Sequence, residues 1–343
     1  MCVSVAIKLP RDPETGLPTA NAKWRLAKVR DRAYSPEYSV KRWSVKDSGA
    51  SQLFLIDEAS DWTEGVSVSE DGSYLSMVNS ALNNSMDKKD GKAKSKGPTG
   101  EDQSANGRIV RKALKTHDVK KCADVLIENK IDGATLITDG DRLYVIETTL
   151  PLAVKNKYRA ERKRKDVRFE DIVPLEEYQT VTREIKGDNN YLVVRTNIGV
   201  LNSNFGYQKK DGENYISSVK RRKYTIDALK KHAFEPIDLM TTLCKLGNKD
   251  IDKNPYYRPL RSVDHVDDYI TPIYSTAVIQ TDPSGTIIVK PLECEFNIKD
   301  TMNLVDDKYL THMVILPKMS RMFESFKQFN KIYSHRDVAE ILE

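Results

Sequence analysis

A cysteine stands directly behind Met1, in the opening stretch MCVSV. A methionine before so small a residue is normally trimmed by aminopeptidase, so we expect a mature chain that begins at Cys2 with a thiol and a free α-amine. A thiolate can attack a carbonyl carbon, and the α-amine of the same residue can take the thiol proton and return it to a leaving group. Cys2 is therefore a candidate nucleophile with a built-in base. The alternative is an idle or buried thiol, which needs no function.

The remaining cysteines and the histidines suggest no other reactive site. Cys122, Cys244 and Cys294 form no CxxC pair, so the sequence predicts neither a zinc site nor a disulfide framework. Scattered free thiols are typical of a reducing compartment. Nothing in the placement of the five histidines favours a cysteine–histidine pair at Cys2. Because protein groups supply the nucleophile and the base, we expect no cofactor and no metal ion.

A site at Cys2 needs a rigid frame, and the sequence around it predicts strands. CVSVAIKL alternates in apolar character and is rich in β-branched residues, and QLFLIDEA at 52–59 repeats the pattern. The stretch RDPETGLPTANAK between them predicts a turn-rich loop. Hairpins are predicted at four turn sequences, around Glu70-Asp71-Gly72, Asp139-Gly140-Asp141, Gly187-Asp188-Asn189-Asn190 and Asp282-Pro283-Ser284-Gly285.

Two pairs of helices separate these strands. Residues 107–129 predict the first pair, with Asp118 as a candidate cap and an apolar face along the second helix. Residues 216–247 predict the second pair, whose first helix starts at Ser217 or Ser218. Strands and helix pairs follow one another in blocks. This order favours an α+β fold, with antiparallel sheets stacked between helical layers, over parallel βαβ units.

Polarity and charge indicate the domain organisation of the chain and the surroundings in which it works. We expect residues 1–343 to form one domain, with a mobile surface loop at about 84–107, where large apolar residues are almost absent. Acidic residues interrupt the basic stretch at about 155–170, so a solvated connection is favoured over nucleic-acid contact. The net charge is only +5, and no apolar run approaches membrane-spanning length. We expect a cytoplasmic protein without membrane contact.

Several short motifs follow the amino-terminal cysteine in an order typical of one family. They are the Arg-Asp pair of LAKVRDRAYSP, the segment EGVSVSEDGSYLSMVN, the Thr-Asn dipeptide of VVRTNIGVL, and SSVKRR. Together they resemble the N-terminal-nucleophile (Ntn) hydrolases of the choloylglycine hydrolase, penicillin V acylase and acyl-CoA:6-aminopenicillanate acyltransferase group. The resemblance is strongest over residues 2–80, 107–150 and 190–245. It implies the Ntn-hydrolase fold, a four-layer αββα sandwich of two stacked antiparallel sheets flanked by helices.

The resemblance also implies site residues, which are Cys2, Arg30, Asp31, Asn79, Asn197 and Arg221. Cys2 is implied to be the nucleophile. Arg30 would favour its thiolate by opposite charge, and Asp31 would orient the α-ammonium by a charge-assisted hydrogen bond. An exposed ion pair among the charges of KVRDR is the alternative for Arg30 and Asp31.

Two asparagines and an arginine complete the implied site. Asn79 would aim an N–H at the oxyanion of the tetrahedral intermediate, a contribution of roughly 3 kcal/mol. Asn197 would support the amine of the nucleophile or the scissile carbonyl. The alternative for both is a turn or strand-end asparagine that bonds its own backbone. Arg221 at a helix start would hold carboxylates such as Asp31, or would be one residue of a solvated KRRK cluster.

The sequence thus predicts an amidohydrolase or acyltransferase that acts on a linear carbon–nitrogen amide of a small molecule or short peptide through a Cys2 thioester. Water or an amine resolves that thioester, and the sequence leaves both open. A peptidase of the same mechanism is another alternative. An inactive Ntn scaffold that binds nucleic acid through residues 156–168 is an alternative of a different class. Family members are often homo-oligomers, and the sequence leaves the oligomeric state open.

Overall fold

The computed structural model describes most of the chain between residues 2 and 232 and short segments beyond. The described residues are 2–32, 38–44, 51–57, 62–68, 73–82, 106–165, 172–187, 190–232, 239, 242–243, 275–281, 287–291 and 313–315. Side chains are described for most of them, but not for residues 30–44 or for any residue after 243. The loop predicted to be mobile at about 84–107 lies outside the described residues, which resume at Asn106.

The described residues form strands β1 to β13 and helices α1 to α4. The strands are β1 (Cys2–Arg11), β2 (Pro18–Arg32), β3 (Tyr38–Ser44), β4 (Ser51–Asp57), β5 (Trp62–Val68), β6 (Tyr74–Ser80), β7 (Gly133–Thr138), β8 (Leu143–Thr149), β9 (Gln179–Ile185), β10 (Leu192–Arg195), β11 (Ser275–Thr281), β12 (Ile287–Pro291) and β13 (Met313–Ile315). The helices are α1 (Asn106–Leu114), α2 (Val119–Glu128), α3 (Leu152–Lys165) and α4 (Glu213–His232).

The strands form two sheets. The first sheet has the order β10-β1-β2-β11-β12-β13 and is antiparallel except for the parallel pair β12–β13. The second sheet is an antiparallel meander in which β3 to β9 lie in chain order. Three of the four predicted hairpins are confirmed, as β5–β6, β7–β8 and β11–β12.

Alternation along β1 sends its side chains to two different layers. Val3 and Val5 pack on one face of the first sheet against Leu229 of α4. Ala6, on the opposite face, packs in a cluster with Leu136 of the second sheet. The two sheets therefore stack face to face, and α4 covers the outer face of the first.

Helices α1 and α2 cover the outer face of the second sheet. Leu75 and Met77 of β6 pack there against Val110 of α1 and Leu126 of α2. The layers follow in the order α4, first sheet, second sheet, and α1 with α2. This arrangement confirms the predicted mixture of helices with two stacked sheets.

The start of α2 is also confirmed. Asp118 is its N-cap, and the Asp118 Oδ1 accepts the backbone N–H of Lys121 at 2.7 Å. Cys122 follows on the apolar face of α2 and is fully buried. Burial raises the pKa of the Cys122 thiol, which marks it as a core residue rather than a reactive one.

The hairpin predicted around Gly187-Asp188-Asn189-Asn190 is wrong. β9 is an edge strand of the second sheet, whereas β10 is an edge strand of the first. β10 pairs with β1, so that Val194 lies opposite Val5 and packs in the cluster beneath α4. Turn residues specify that the chain reverses, but they do not specify which strand it then pairs with. The apolar side of β10 is buried by α4, and this selects the first sheet.

Two predicted boundaries also differ from the structure. The loop after β1 is short, because β2 begins at Pro18 and includes the second half of the turn-rich stretch. Helix α4 begins at Glu213 rather than at Ser217 or Ser218. Both serines therefore lie inside the helix, where their hydroxyls face one of the predicted site residues.

The basic stretch predicted as a connection at about 155–170 is helical over its described part, in α3. Val154 and Tyr158 of α3 pack against Leu150, Val173 and Tyr178, and this small apolar cluster gives the helix a support outside the four layers. None of the helices in the described part of the chain is long and apolar enough to cross a membrane.

Candidate active site

Cys2 is the first residue of β1, and its side chain faces the second sheet. It shares a face with Ser4 and Ala6, because alternate residues of a strand point the same way. The Ser4 hydroxyl lies 2.5 Å from that of Ser80 on β6, so this face of β1 contacts the second sheet directly. Cys2 is 7% exposed. The thiol is thus held at one end of the layer between the sheets.

Strand pairing brings two other predicted residues to this end of the first sheet. Cys2 pairs with Arg30 on β2, and Asp31 pairs with Thr276 on β11. The side chains of Arg30 and Asp31 lie outside the described residues, so their predicted roles at the thiol stay predictions. Their backbones lie on β2, the strand next to the nucleophile strand.

Arg221 of α4 connects Cys2 to Asn197. Its Nη1 donates to the carbonyl oxygen of Cys2 at 3.0 Å, and its Nη2 donates to the Asn197 Oδ1 at 3.0 Å. Nη2 also donates to the Ser218 hydroxyl at 3.1 Å, and Nε reaches the Ser217 hydroxyl at 3.4 Å. Arg221 is 1% exposed, so this guanidinium is fixed by protein on every described side.

The position of Arg221 differs from the prediction in one respect. It lies in the interior of α4, not at a helix start. Its acceptors among the described contacts are the Cys2 carbonyl, the Asn197 amide oxygen and two hydroxyls, and its predicted hold on Asp31 stays a prediction, because the Asp31 side chain lies outside the described residues. A planar guanidinium with several donors suits this task, because it can fix two elements relative to each other.

Asn197 is fully buried and lies two residues beyond Arg195, which pairs with Ser4 in the β1–β10 register. The pairing ends with β10 at Arg195, so Asn197 follows the last paired residue of that strand. The Asn197 Nδ2 donates to the carbonyl oxygen of Ala81 at 2.7 Å, while its Oδ1 accepts from Arg221. An amide nitrogen carries two hydrogens. The second hydrogen of Nδ2 has no acceptor within the part of the chain that the structure describes.

Asn79 lies close to this site in sequence but faces the other way. It shares its face of β6 with Met77, which packs against α1 and α2, whereas its neighbour Ser80 faces Ser4. The Asn79 Nδ2 donates to the Thr135 hydroxyl at 2.8 Å and to the Asp132 carbonyl at 3.2 Å. Both amide hydrogens thus have protein acceptors. These contacts are with Thr135 of β7 and with Asp132 just before it rather than with the backbone of Asn79 itself, and they give no support to the predicted oxyanion role.

The structure adds buried charges that sequence reasoning missed. Lys28 on β2 forms a buried ion pair with Glu64 on β5, and Arg195 on β10 lies 3.6 Å from Glu147 on β8. Each pair joins the first sheet to the second. Lys28 and Arg195 are the two cross-strand neighbours of Ser4, one on each side. The signal in the sequence was a charged residue on the inward face of a strand, next to apolar residues of the same face such as Trp24 and Leu26 beside Lys28.

Burial changes the electrostatics of Arg195. Desolvation lowers the pKa of Arg195 to about 10, Arg222 and Arg183 act in the same direction, and Glu147 opposes them by favouring the charged form. Arg195 is therefore still a cation at neutral pH. Its pairing with Glu147 offsets part of the cost of burying that charge.

A pocket of about 160 Å³ lies beside the loop that follows Asn197. Phe205 lines it and also packs with Leu82 and Ala134 on the inner face of the second sheet. The loop returns to Asn197 by two contacts, the hydrogen bond from the Tyr207 N–H to the Asn197 carbonyl at 2.9 Å and the pairing of Ile198 with Gly206. The pocket is thus continuous with the segment that carries Asn197.

No protein-family model matches the chain, and no curated protein matches it.

Proposed function

We propose that this chain is an N-terminal-nucleophile hydrolase or acyltransferase that cleaves a linear carbon–nitrogen amide through Cys2. The observation that carries the proposal is the contact of one buried guanidinium with two predicted site residues. Arg221 binds both the Cys2 carbonyl and the Asn197 side chain, although the three residues come from β1, the segment after β10, and α4. The resemblance implies these same three residues as members of one site.

The layered architecture supports the same proposal. Two stacked sheets with helices on both outer faces are compatible with the αββα sandwich that the resemblance implies. The nucleophile strand lies inside the first sheet, with β10 on one side and β2 on the other. A rigid strand at that position suits a nucleophile, because catalytic geometry must be held to within a fraction of an ångström.

The chemistry requires cleavage of the Met1–Cys2 bond, which leaves Cys2 with a free α-amine. The amine takes the thiol proton, the sulfur attacks the amide carbon, and a tetrahedral oxyanion forms. The carbon–nitrogen bond then breaks, the proton passes to the leaving amine, and a thioester remains on Cys2. Water or an acceptor amine resolves the thioester and returns the thiol. Arg30 is proposed to favour the thiolate, and Asp31 to orient the α-ammonium.

We assign the oxyanion contact to Asn197 rather than to Asn79. The second hydrogen of the Asn197 Nδ2 lacks an acceptor in the described segments, whereas both hydrogens of the Asn79 Nδ2 are bonded to protein. Arg221 and Ala81 fix the Asn197 amide plane from two sides. A donor held in this way needs no reorganisation when the negative charge develops.

Mass spectrometry and a cysteine replacement test the proposal. We expect the purified chain to lack Met1, and iodoacetamide to alkylate Cys2 with a rate that rises with pH. A panel of N-acyl amides of graded acyl length is then assayed with the native protein, with Cys2→Ala, and with Cys122→Ala as the matched control. Cys2→Ala is expected to lose turnover and Cys122→Ala to keep it, because Cys122 is a core thiol. Native turnover in Cys2→Ala would reject the mechanism.

The exposed basic helix favours a second candidate, a nucleic-acid-binding protein on this scaffold. Helix α3, LAVKNKYRAERKRK, is rich in lysine and arginine and has a single acidic residue. Lys157 and Lys165 are, however, engaged by Glu177 and Glu161. Retention on DNA or RNA that falls steeply with salt, together with an inactive amide panel, would favour this candidate over the enzyme.

A further inference from the structure

We propose that Glu147 is a positioning residue for Asn197, because it fixes the chain on both sides of that asparagine. The inference rests on the proposed function and names a part of the site that neither the motifs nor the resemblance indicated. Glu147 lies on β8 of the second sheet, whereas Asn197 follows β10 of the first. The side chain thus reaches across the layer between the sheets.

The carboxylate of Glu147 binds three consecutive backbone amides. Its Oε1 accepts the N–H of Val200 at 2.8 Å, and its Oε2 accepts those of Leu201 at 3.0 Å and Asn202 at 3.1 Å. Glu147 is fully buried. Hydrogen bonds from backbone amides to an ionised acceptor are stronger than hydrogen bonds between neutral groups. Burial makes each of these hydrogen bonds costly to lose.

The same carboxylate faces Arg195, two residues before Asn197. Glu147 therefore contacts the chain on both sides of Asn197, at 195 and at 200–202. Arg195 is itself fixed in the first sheet by its pairing with Ser4, two residues after the nucleophile. One acidic side chain thereby connects the strand of the nucleophile, the segment of Asn197 and the second sheet.

The presence of a glutamate at position 147 is explained by these contacts rather than by a gain in stability. Buried ion pairs are seldom more stabilising than apolar residues of the same volume. An apolar residue at 147 would leave three amides without their acceptor and the Arg195 cation without its counter-ion. A displacement of about 1 Å in a site residue can cost on the order of 10²-fold in rate, so firm support of Asn197 matters for turnover.

Glu147→Gln and Glu147→Asp test the inference. Gln keeps the shape but loses the charge and places an NH2 group against backbone N–H donors. Asp keeps the charge of the buried pair, so it retains the fold, but its carboxylate is one methylene too short. Glu64→Gln is the matched control, since Glu64 is the other buried carboxylate that joins the sheets and its described partner, Lys28, lies on β2.

Hydrogen exchange and steady-state kinetics are the readouts. In both Glu147 variants we expect faster amide exchange in peptides that cover 197–205, and kcat lower by about 10- to 100-fold with KM within about 3-fold. Cys2 alkylation by iodoacetamide should change by less than about 2-fold, because Glu147 holds the oxyanion donor and not the thiol. Glu64→Gln should leave exchange at 197–205 and kcat near native values.

Three results would overturn the inference. They are unchanged exchange at 197–205 in both Glu147 variants, native kcat despite faster exchange, or an equal fall of kcat in Glu64→Gln. Failure of the proposed function has a different signature, namely native turnover in Cys2→Ala or no turnover on any amide. In that case the exchange experiment still decides whether Glu147 fixes the segment.

Discussion

The layer between the two sheets has an apolar half and a polar half, built on the same strands. In the apolar half, Leu26 and Trp24 of β2 pack with Val78, Leu136 and Val145 of the second sheet. In the polar half, Cys2 and Ser4 of β1 lie among residues that are hydroxyl-bearing or charged. These residues are Ser80, Lys28, Glu64, Arg195 and Glu147.

The difference between the halves shows where stability and specificity come from. Apolar contacts are non-directional, so the apolar half stabilises the stack but would tolerate small shifts of one sheet against the other. The ion pairs and the Ser4–Ser80 hydrogen bond are satisfied in one arrangement only. Burying two ion pairs gains little free energy over apolar residues. The presence of the Arg195–Glu147 pair next to Cys2 is accounted for if that pair fixes the segment of Asn197.

Breaking one ion pair should give the largest effect on stability. Lys28→Met leaves Glu64 as a buried charge without its lysine, and we expect the free energy of unfolding to fall by about 4 kcal/mol. Replacing both partners, in Lys28→Met with Glu64→Leu, should recover most or all of that loss. Urea denaturation measures both. An equal loss of unfolding free energy in the single and double variants would show that the ion pair stabilises the fold by its charge. That result would contradict the conclusion that buried ion pairs gain little free energy over apolar residues.

A cavity in the apolar half should affect stability without affecting the site. Leu136→Ala is expected to lower the free energy of unfolding by about 3 kcal/mol, because Leu136 is fully buried between the sheets. The rate of Cys2 alkylation at pH 8 should stay within about 2-fold of native. A large change in that rate would mean that the two halves are coupled and that the division between them is not a useful one.

Asn79 and Asn197 separate a role in stability from a role in catalysis. Asn79→Ala should lower the free energy of unfolding by about 2 kcal/mol, since the buried Thr135 hydroxyl and Asp132 carbonyl lose a donor. Its turnover should stay near native. Asn197→Ala should instead lower kcat by about 10²- to 10³-fold. The opposite pattern in a denaturation and kinetics series would restore the oxyanion role to Asn79.

The smallest effect is expected at the cap of α2, outside both halves. Asp118→Ala should lower the free energy of unfolding by about 1 kcal/mol. Asp118→Asn keeps an acceptor for the Lys121 N–H and should lower it by only about a few tenths of a kcal/mol.

The hydrogen bond from the Lys121 N–H lowers the pKa of Asp118, with nearby Arg142 also contributing. The stabilisation by its charge is therefore full above the unfolded pKa of about 3.9 and lost as the pH falls through the lower folded pKa. Acid titration of unfolding should show that Asp118→Asn converges on the native protein at low pH, whereas Asp118→Ala keeps part of its deficit because it has no acceptor for the Lys121 N–H; a constant difference between Asp118→Asn and the native protein would contradict this.

Local chemistry made much of the fold predictable. The Asp-Gly turns gave the hairpins β5–β6 and β7–β8, and Asp118 gave the start of α2, because turn and cap residues act on their immediate neighbours. The partner of β10 was not predictable in this way. Its pairing with β1 is decided by burial beneath α4, which is a long-range effect.

The same distinction applies to the candidate site. The motifs gave Cys2, Asn197 and Arg221, which the structure brings into contact through Arg221. They did not give Glu147, because its function depends on three amides that lie more than fifty residues further along the chain. They also name Asn79, whose side chain lies on the outer face of β6, and a motif cannot tell which face of a strand a residue occupies.

The pairing of β1 with β10 can form only late in the synthesis of the chain. Ser4 meets its partner Arg195 only after nearly two hundred further residues have left the ribosome. At about 5 to 20 residues per second, that interval is roughly 10 to 40 s. During this time β1 can pair with β2 but not with β10, and α4 cannot yet cover it. The contact between Arg221 and the Cys2 carbonyl can therefore form only late in synthesis.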